Sequence, residues 1–441
     1  MTLGPGLTCT SSSHSSALPR PSGPVLQQLF ALFPPGLLFP KLFLLRFAAV
    51  SHLPEFYSDF SLLRQFLLPE LESLTFDVPS SVPTYEVEQL LGALPAEASG
   101  LRHLSITTDN GLSACRFIVP KLPKLNRLAI GGIDVGLTRQ NITNIQHSRC
   151  LQTLALHLHG PFDTENQLSG NMPLELSALK ELYLFSTPLQ ICTSFLLQVS
   201  TPQLSDIHIT YFEAAIPAEL TAFFESLRTS CQTFASLETI SMFDRSPDRW
   251  WKPDSHRQLH SHIFRPLLKF RRLSIVDFDD IGKYCLDDAF IEDAAVAWPY
   301  LRVLKFATLK HSVGEVTFTA MLSLASRCKL LRTLRLTFDA THFPRLPYSP
   351  DGNRELWTTQ PTLRELHVGH SKVSAASRFP RFLAVLFPGL AVLSREDMSL
   401  DSADGIAWRE LRTSWTQLMI YRQMFPDMEN TWRADLLQPR P

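Results

Sequence analysis

The 441-residue chain has few cysteines (7), few glycines (18, against 32 Pro) and no surplus of either charge. Each shortage excludes something. No two cysteines lie closer than 35 residues, so there is no CxxC pair, no zinc-ligand spacing and no disulfide framework. Reduced thiols fit that usage and lead us to expect a cytoplasmic or nuclear protein. Lys+Arg number 41 and Asp+Glu 42, a formal net charge of -1. That balance removes the electrostatic pull towards nucleic acid or an anionic membrane, and neither is an expected partner.

The most apolar stretch, residues 25–50, has the length of a membrane span, but Pro34, Pro35, Gly36 and Pro40 interrupt it. Lys41 and Arg46 would each cost roughly 2.5–3.5 kcal/mol inside hydrocarbon, so no span is expected. Also missing are HExxH, GxSxG, the Walker loop and GxGxxG. No catalytic residue, metal or cofactor is therefore expected, and the chain is read as a non-enzyme.

Leucine is abundant, at 72 residues, and it recurs in a phrase: aliphatic, two variable residues, aliphatic, one variable residue, aliphatic. Clear copies begin at Leu71, Leu101, Leu125, Leu151, Leu179, Leu204, Leu237, Phe270, Leu301, Leu331 and Leu363, with weaker ones at Leu42 and Leu390. These thirteen starts are 24 to 33 residues apart, within the range of leucine-rich repeats. In a short strand, the fourth and sixth positions share a face and the first approaches the same core from the preceding turn. One unit cannot close a core with three side chains, but stacked units can.

Between phrases the apolar period changes to that of a helix, as in Tyr85-Val87-Leu90-Leu91-Leu94, Leu220-Phe223-Phe224-Leu227 and Met321-Leu322-Leu324-Ala325. Pro69, Pro123, Pro202, Pro299 and Pro361 stand where each helix would turn into the next strand. Cys150 and Cys328 take a similar place and read as apolar packing groups. The expected fold is α/β: a leucine-rich-repeat solenoid, or horseshoe, of about 12–13 irregular units with a concave parallel β-sheet and convex helices.

Residues 1–24, rich in Ser, Pro and Gly, are expected to be disordered, and residues 25–402 to form the repeat domain. The apolar spacing Ile406-Trp408-Leu411-Trp415-Leu418 suits a helical cap over 403–433, followed by a flexible tail at 434–441. Two insertions, 244–255 and 341–353, read as loops. His256, His260 and His262 read as part of a surface helix, and the run Asp277, Asp279, Asp280, Asp287, Asp288 as a solvated turn.

The third, fifth and seventh positions alternate with the buried ones and should face a partner on the concave sheet. The expected protein-binding residues are His103, Arg127, His157, Tyr183, Phe185, Asp206, His208, Phe243, Arg272, Lys305, Arg335 and His367. Among them Tyr183, Phe185 and Phe243 suggest an aromatic anchor, and Arg272, Lys305 and Arg335 a basic column in three consecutive units. An ordinary mixed surface, or Phe185 and Phe243 turned inward at strand ends, is the alternative.

The repeats from Leu42 to Met424, with the phrases VTFTAMLSLASRCKLLRTLRLTFDATHFP (316–344), LHVGHS (366–371) and FLAVLFPGL (382–390), resemble the F-box/leucine-rich-repeat proteins of the fungal branch. The resemblance implies an adaptor: an N-terminal F-box docks on the Skp adaptor of a cullin ubiquitin ligase, and the repeats select a substrate. Residues 1–41, including LPRPSGPVLQQLFALFPPG from Leu18, do not supply the Leu-Pro opening and two amphipathic helices of an F-box. The chain is expected to be a monomer that binds a protein partner either without a ligase or as a ligase subunit with a truncated or degenerate F-box.

Overall fold

The computed structural model describes residues 8–9, 23–47, 62–78, 82–108, 122–131, 145–146, 148–158, 173–186, 188–231, 234–246, 258–307, 315–341, 359–373, 379–395 and 403–424. The chain divides into two compact units, residues 1–207 with 229–232, and residues 208–228 with 233–441. Each unit is a run of parallel strands, one per phrase, the architecture of an α/β leucine-rich-repeat solenoid.

In the first unit the strands are β1 (Leu44–Phe47), β2 (Ser73–Val78), β3 (His103–Thr108), β4 (Arg127–Gly131), β5 (Thr153–Leu158) and β6 (Glu181–Ser186). Their register aligns the repeat: Leu45, Leu74, Leu104, Leu128, Leu154 and Leu182 are successive partners. All six are buried, because every fourth position faces the same core. Helix α1 (Gly23–Leu32) precedes β1, α2 (Thr84–Glu97) lies between β2 and β3, and α3 (Leu189–Gln198) follows β6. The helical spacing read from Tyr85 to Leu94 is α2, with Val87, Leu90, Leu91 and Leu94 buried. Thr8 and Cys9 pair antiparallel with Arg46 and Leu45.

Strand β7 (Asp206–Tyr211) begins in the first unit and ends in the second. The second unit continues with α4 (Pro217–Ser230), β8 (Thr239–Asp244), β9 (Ile275–Asp279), α5 (Asp288–Ala297), β10 (Val303–Ala307), α6 (Phe318–Arg327), β11 (Thr333–Arg335) and β12 (Glu365–His367). Helix α7 (Phe379–Leu386), β13 (Val392–Ser394) and α8 (Ala403–Met424) complete it. Helix α5 starts where Asp287 accepts the Phe290 N–H (2.7 Å), and α6 where Thr317 accepts the Thr319 N–H (3.2 Å), so side chains meet donors that a helix start leaves unpaired.

A second device fixes the repeat. In most phrases the carbonyl at the second position accepts two amides from the next repeat: Glu72 O takes Arg102 and His103, and Gln152 O takes Lys180 and Glu181. Ser274 O likewise takes Arg302 and Val303, and Arg332 O takes Arg364 and Glu365. The turns are so close that a Cβ at Gly100 would sit 2.3 Å from Pro69 O, and one at Gly389 2.0 Å from Pro361 O. Only glycine fits at those two places.

One phrase is shifted from its sequence reading. Thr239 pairs with Ile275, Ile240 with Val276 and Met242 with Phe278. The phrase is therefore Leu273-Val276-Phe278, not Phe270-Leu273-Ile275. The interval from Leu237 to Leu273 is 273 − 237 = 36 residues, lengthened by the insertion after Asp244. Phe270 is buried all the same, in the turn that enters the repeat.

The core of the second unit is aromatic. The Phe264 ring lies 5.2 Å from Phe306, 5.5 Å from Phe278, 5.7 Å from Phe224 and 6.1 Å from Tyr284 and Phe290. Further along, Phe318 meets Phe338, Phe379 and Phe382. Trp408, Leu411, Trp415 and Leu418 of α8 are buried at helical spacing, and the Trp408 indole N–H donates to Ser371 O (2.8 Å). Ile406 of the same pattern stays exposed, as does Tyr421 further along the helix. Residues 425–441, Trp250, Trp251 and His256 lie outside the described residues. Among the described residues no helix is long and apolar enough to cross a membrane.

Candidate interaction face

The pleat that buries the fourth and sixth positions turns the third, fifth and seventh outward. In the first unit the third-position row runs His103, Arg127, Thr153, Glu181 across β3 to β6, and continues to Asp206 at the start of β7. The Ser205 and Asp206 amides both donate to Lys180 O, which sets Asp206 beside Glu181 in that row. His103 and Arg127 are exposed, and Glu181 and Asp206 half-buried. Thr153 donates to Glu181 (3.2 Å), and Ser205 donates to Asp206 (2.6 Å).

The other two rows hold the rings. Tyr183 is half-buried, and burial first, then the Glu181 carboxylate, holds its phenol above the usual tyrosine range. His157 stacks on Phe185 at 4.5 Å with the planes 24° apart. Phe185 thus lies on the outer face, not turned into the core. On the β4 and β5 side these rings stand beside Ala155, Ala129 and Gly131, and a Cβ on Gly131 would touch the His157 ring at 3.4 Å. The result is an aromatic wall over a floor of small residues.

In the second unit the expected basic column does not form. Arg272 precedes β9, off its outer face, and its Nη2 lies 2.6 Å from Glu238 Oε1 in the preceding repeat. The outward residues of β9 are Ile275, Asp277 and Asp279, because of the shifted phrase. Asp277 faces Lys305 in register, with Nζ 2.7 Å from Oδ2 and the side chains 31% and 17% exposed. Arg335 follows Lys305 in the row, its Nη1 3.9 Å from Asp279 Oδ1. Burial raises the Asp279 carboxyl above its ordinary value, with Arg335 opposing. Each of the three cations thus faces a carboxylate, and the column carries paired charge.

His367 ends that row, with its Nδ1 against the Ser394 hydroxyl and its Nε2 3.9 Å from Glu365 Oε2. His208 is half-buried on β7, and Phe243, half-buried on β8, has the Arg245 guanidinium 6.0 Å from its ring centre. Tyr183 and Phe185 belong to the first unit and Phe243 to the second.

The acidic run is not a solvated turn either. Asp277 and Asp279 are strand residues, Asp287 caps α5, and Asp288 accepts both the Thr317 N–H (2.6 Å) and its hydroxyl (2.5 Å). Nor do the histidines share one helical face. His260 ends a short strand (Gln258–His260) and His262 sits in the following turn of helix, their rings stacked 6.0 Å apart. They line a polar hollow of about 470 Å³ with Arg265, Cys285, Asp287 and Glu315. No three side chains among the described residues are grouped to hold a metal.

No family model and no curated protein matches the chain. Among solved structures it is similar to an internalin (inlF) from Listeria monocytogenes, with 13% identity over 81% of this chain and 87% of that one, at a TM-score of 0.36. It is also similar to the Rad7 and Elc1 complex of yeast, with 13% identity over 76% and 78%, at a TM-score of 0.31. Likeness at that level carries no functional argument, so the outer rows must supply it.

The thiols bear on chemistry. Cys328 is buried as expected, but Cys150 is exposed, so it is not a packing group. Burial pushes Cys192 and Cys328 up to about 12 and Cys231 to about 11. With a pKa near 12, only roughly one thiol in ten thousand is ionised at pH 8, and the thiolate is the reactive form. Iodoacetamide at pH 8 should therefore modify Cys150 within minutes and leave Cys192, Cys231 and Cys328 untouched until the chain is unfolded. Peptide mass spectrometry of a time course checks this; Cys328 reacting as fast as Cys150 would contradict it.

Proposed function

We propose that the chain is a non-catalytic protein-binding repeat protein, working in the cytoplasm or nucleus, that holds a protein partner on the outward rows of its parallel strands. The observation that carries this reading is the wall of His157, Tyr183 and Phe185. The core does not need rings on the outer face of a sheet, and half-buried aromatic side chains beside small ones are the composition of binding hot spots.

The test is affinity purification of the tagged full chain beside its Tyr183→Ala/Phe185→Ala variant, with quantitative mass spectrometry and cross-link mapping. A true partner should cross-link near β5 and β6 and bind the variant about 30-fold more weakly, as for loss of a hot spot of about 2 kcal/mol. The melting temperature should stay within a few degrees, since the lost rings are not in the core. A partner captured equally by both forms overturns the reading. Recovery of the Skp adaptor and a cullin would add the ligase role that the family resemblance implies; a different stoichiometric partner would make the chain a scaffold for that protein.

A further inference from the structure

The third-position row of the first unit carries unneutralised charges of both signs. Arg127, exposed on β4, makes no ion pair among the described residues, and exposed His103 stands beside it on β3. Glu181, two strands further on, and Asp206, on the strand after it, make no ion pair among the described residues; Glu181 accepts the Thr153 hydroxyl and meets the Tyr183 phenol, and Asp206 accepts the Ser205 hydroxyl. Salt bridges elsewhere are plentiful: Arg64–Glu97, Arg272–Glu238 and Lys305–Asp277 all close at 2.6–2.7 Å. This row leaves its cation and its carboxylates apart, with Thr153 between them.

Strands lie about 4.8 Å apart, so Arg127 and Glu181, two strands apart in register, are separated by about 9.6 Å. A polyproline II segment rises about 3.1 Å per residue with three residues per turn, so its residues i and i+3 face the same side about 9.3 Å apart, close to that distance. Directly beside this row lie Tyr183 and the small Ala129 and Ala155, and one row further the Phe185 and His157 rings and Gly131. From this charge complementarity we infer that the face takes an extended segment of a protein partner running across the strands. Its acidic residue meets Arg127, its basic residue three positions away meets Glu181 and Asp206, and an apolar side chain between them rests against Tyr183. The inference deepens the proposed function and rests on it.

The probe is a display library of random 12-residue peptides, panned against the full chain. Enriched peptides should pair an acidic and a basic residue at i and i+3. Against Arg127→Ala the acidic preference alone should vanish; against Glu181→Gln/Asp206→Asn the basic preference alone should vanish. Each change should weaken a wild-type-selected peptide about fivefold, the effect of one exposed ion pair. Enriched peptides of one charge sign, or charge preferences that ignore these variants, overturn the inference. Tyr183→Ser/Phe185→Ser separates the two levels. If that variant abolishes binding of peptides lacking the charge pair, the face binds proteins and the charge rule is wrong. If it binds every selected peptide as well as wild type does, both the inference and the proposed face are wrong.

Discussion

Replacing Phe264 by alanine is expected to lower the unfolding free energy by about 3–5 kcal/mol, the usual cost of emptying a ring-sized site in a packed core. Phe264 has no exposed surface and lies within 6.1 Å of five other rings, from α4, β9, β10, α5 and the segment between β9 and α5. Such pairs contribute about 0.5–1.5 kcal/mol beyond the area they bury, so the alanine loses several favourable contacts besides volume. Phe264→Leu keeps much of the volume and should cost far less. Urea unfolding followed by far-ultraviolet circular dichroism gives both values. A drop below 1 kcal/mol for the alanine would show that the cluster is not packed as described.

Gln360→Ala should cost about 2–4 kcal/mol for a different reason. The fully buried Gln360 amide nitrogen donates to Cys328 O (3.2 Å), Leu331 O (2.7 Å) and Thr362 Oγ1 (2.6 Å), and its oxygen accepts the Leu363 N–H (2.8 Å). One side chain thus joins the turn of one repeat to the turn before it. Truncation strands the Leu363 N–H away from water, at about 1–3 kcal/mol, and removes the amide donations to Cys328 O and Leu331 O, which keep the Leu331 N–H and the Thr362 hydroxyl as partners. Gln360→Glu should be at least as damaging, because it removes both donors and buries a carboxylate. Equal urea midpoints for wild type and Gln360→Ala would refute the role.

The phrase positions carried most of the fold into view, and what escaped has identifiable causes. Leu, Ile, Phe or Met at the fourth and sixth positions must be buried wherever strands stack, so twelve of the thirteen starts read from the sequence coincide with the strands observed. The miss at Phe270 arose because Phe270, Leu273 and Val276 are spaced by three, which fits two overlapping phrases. The alternation Ile275-Val276-Asp277-Phe278-Asp279 held the answer, since only a strand explains polar residues every second place. That slip placed Arg272 on the face and hid Asp277 and Asp279, the groups that neutralise Lys305 and Arg335. The rings at 157, 183 and 185 were legible from position alone. Their stacking, and the separation of Arg127 from Glu181, depend on which strand lies beside which and are visible only in the structure. Gln360 carries no periodic signal, since its role is to reach the turn of the preceding repeat.

The paired amides on the second-position carbonyls have a consequence for how such a chain diverges. Register is held by main-chain atoms that every residue but proline supplies, at positions whose side chains point away from the core. Residues on the outward rows can therefore be exchanged with little effect on folding, and the loop between two repeats can lengthen, as before Leu273, without sliding the strands. Such a lineage could change its binding specificity quickly while its scaffold stays fixed.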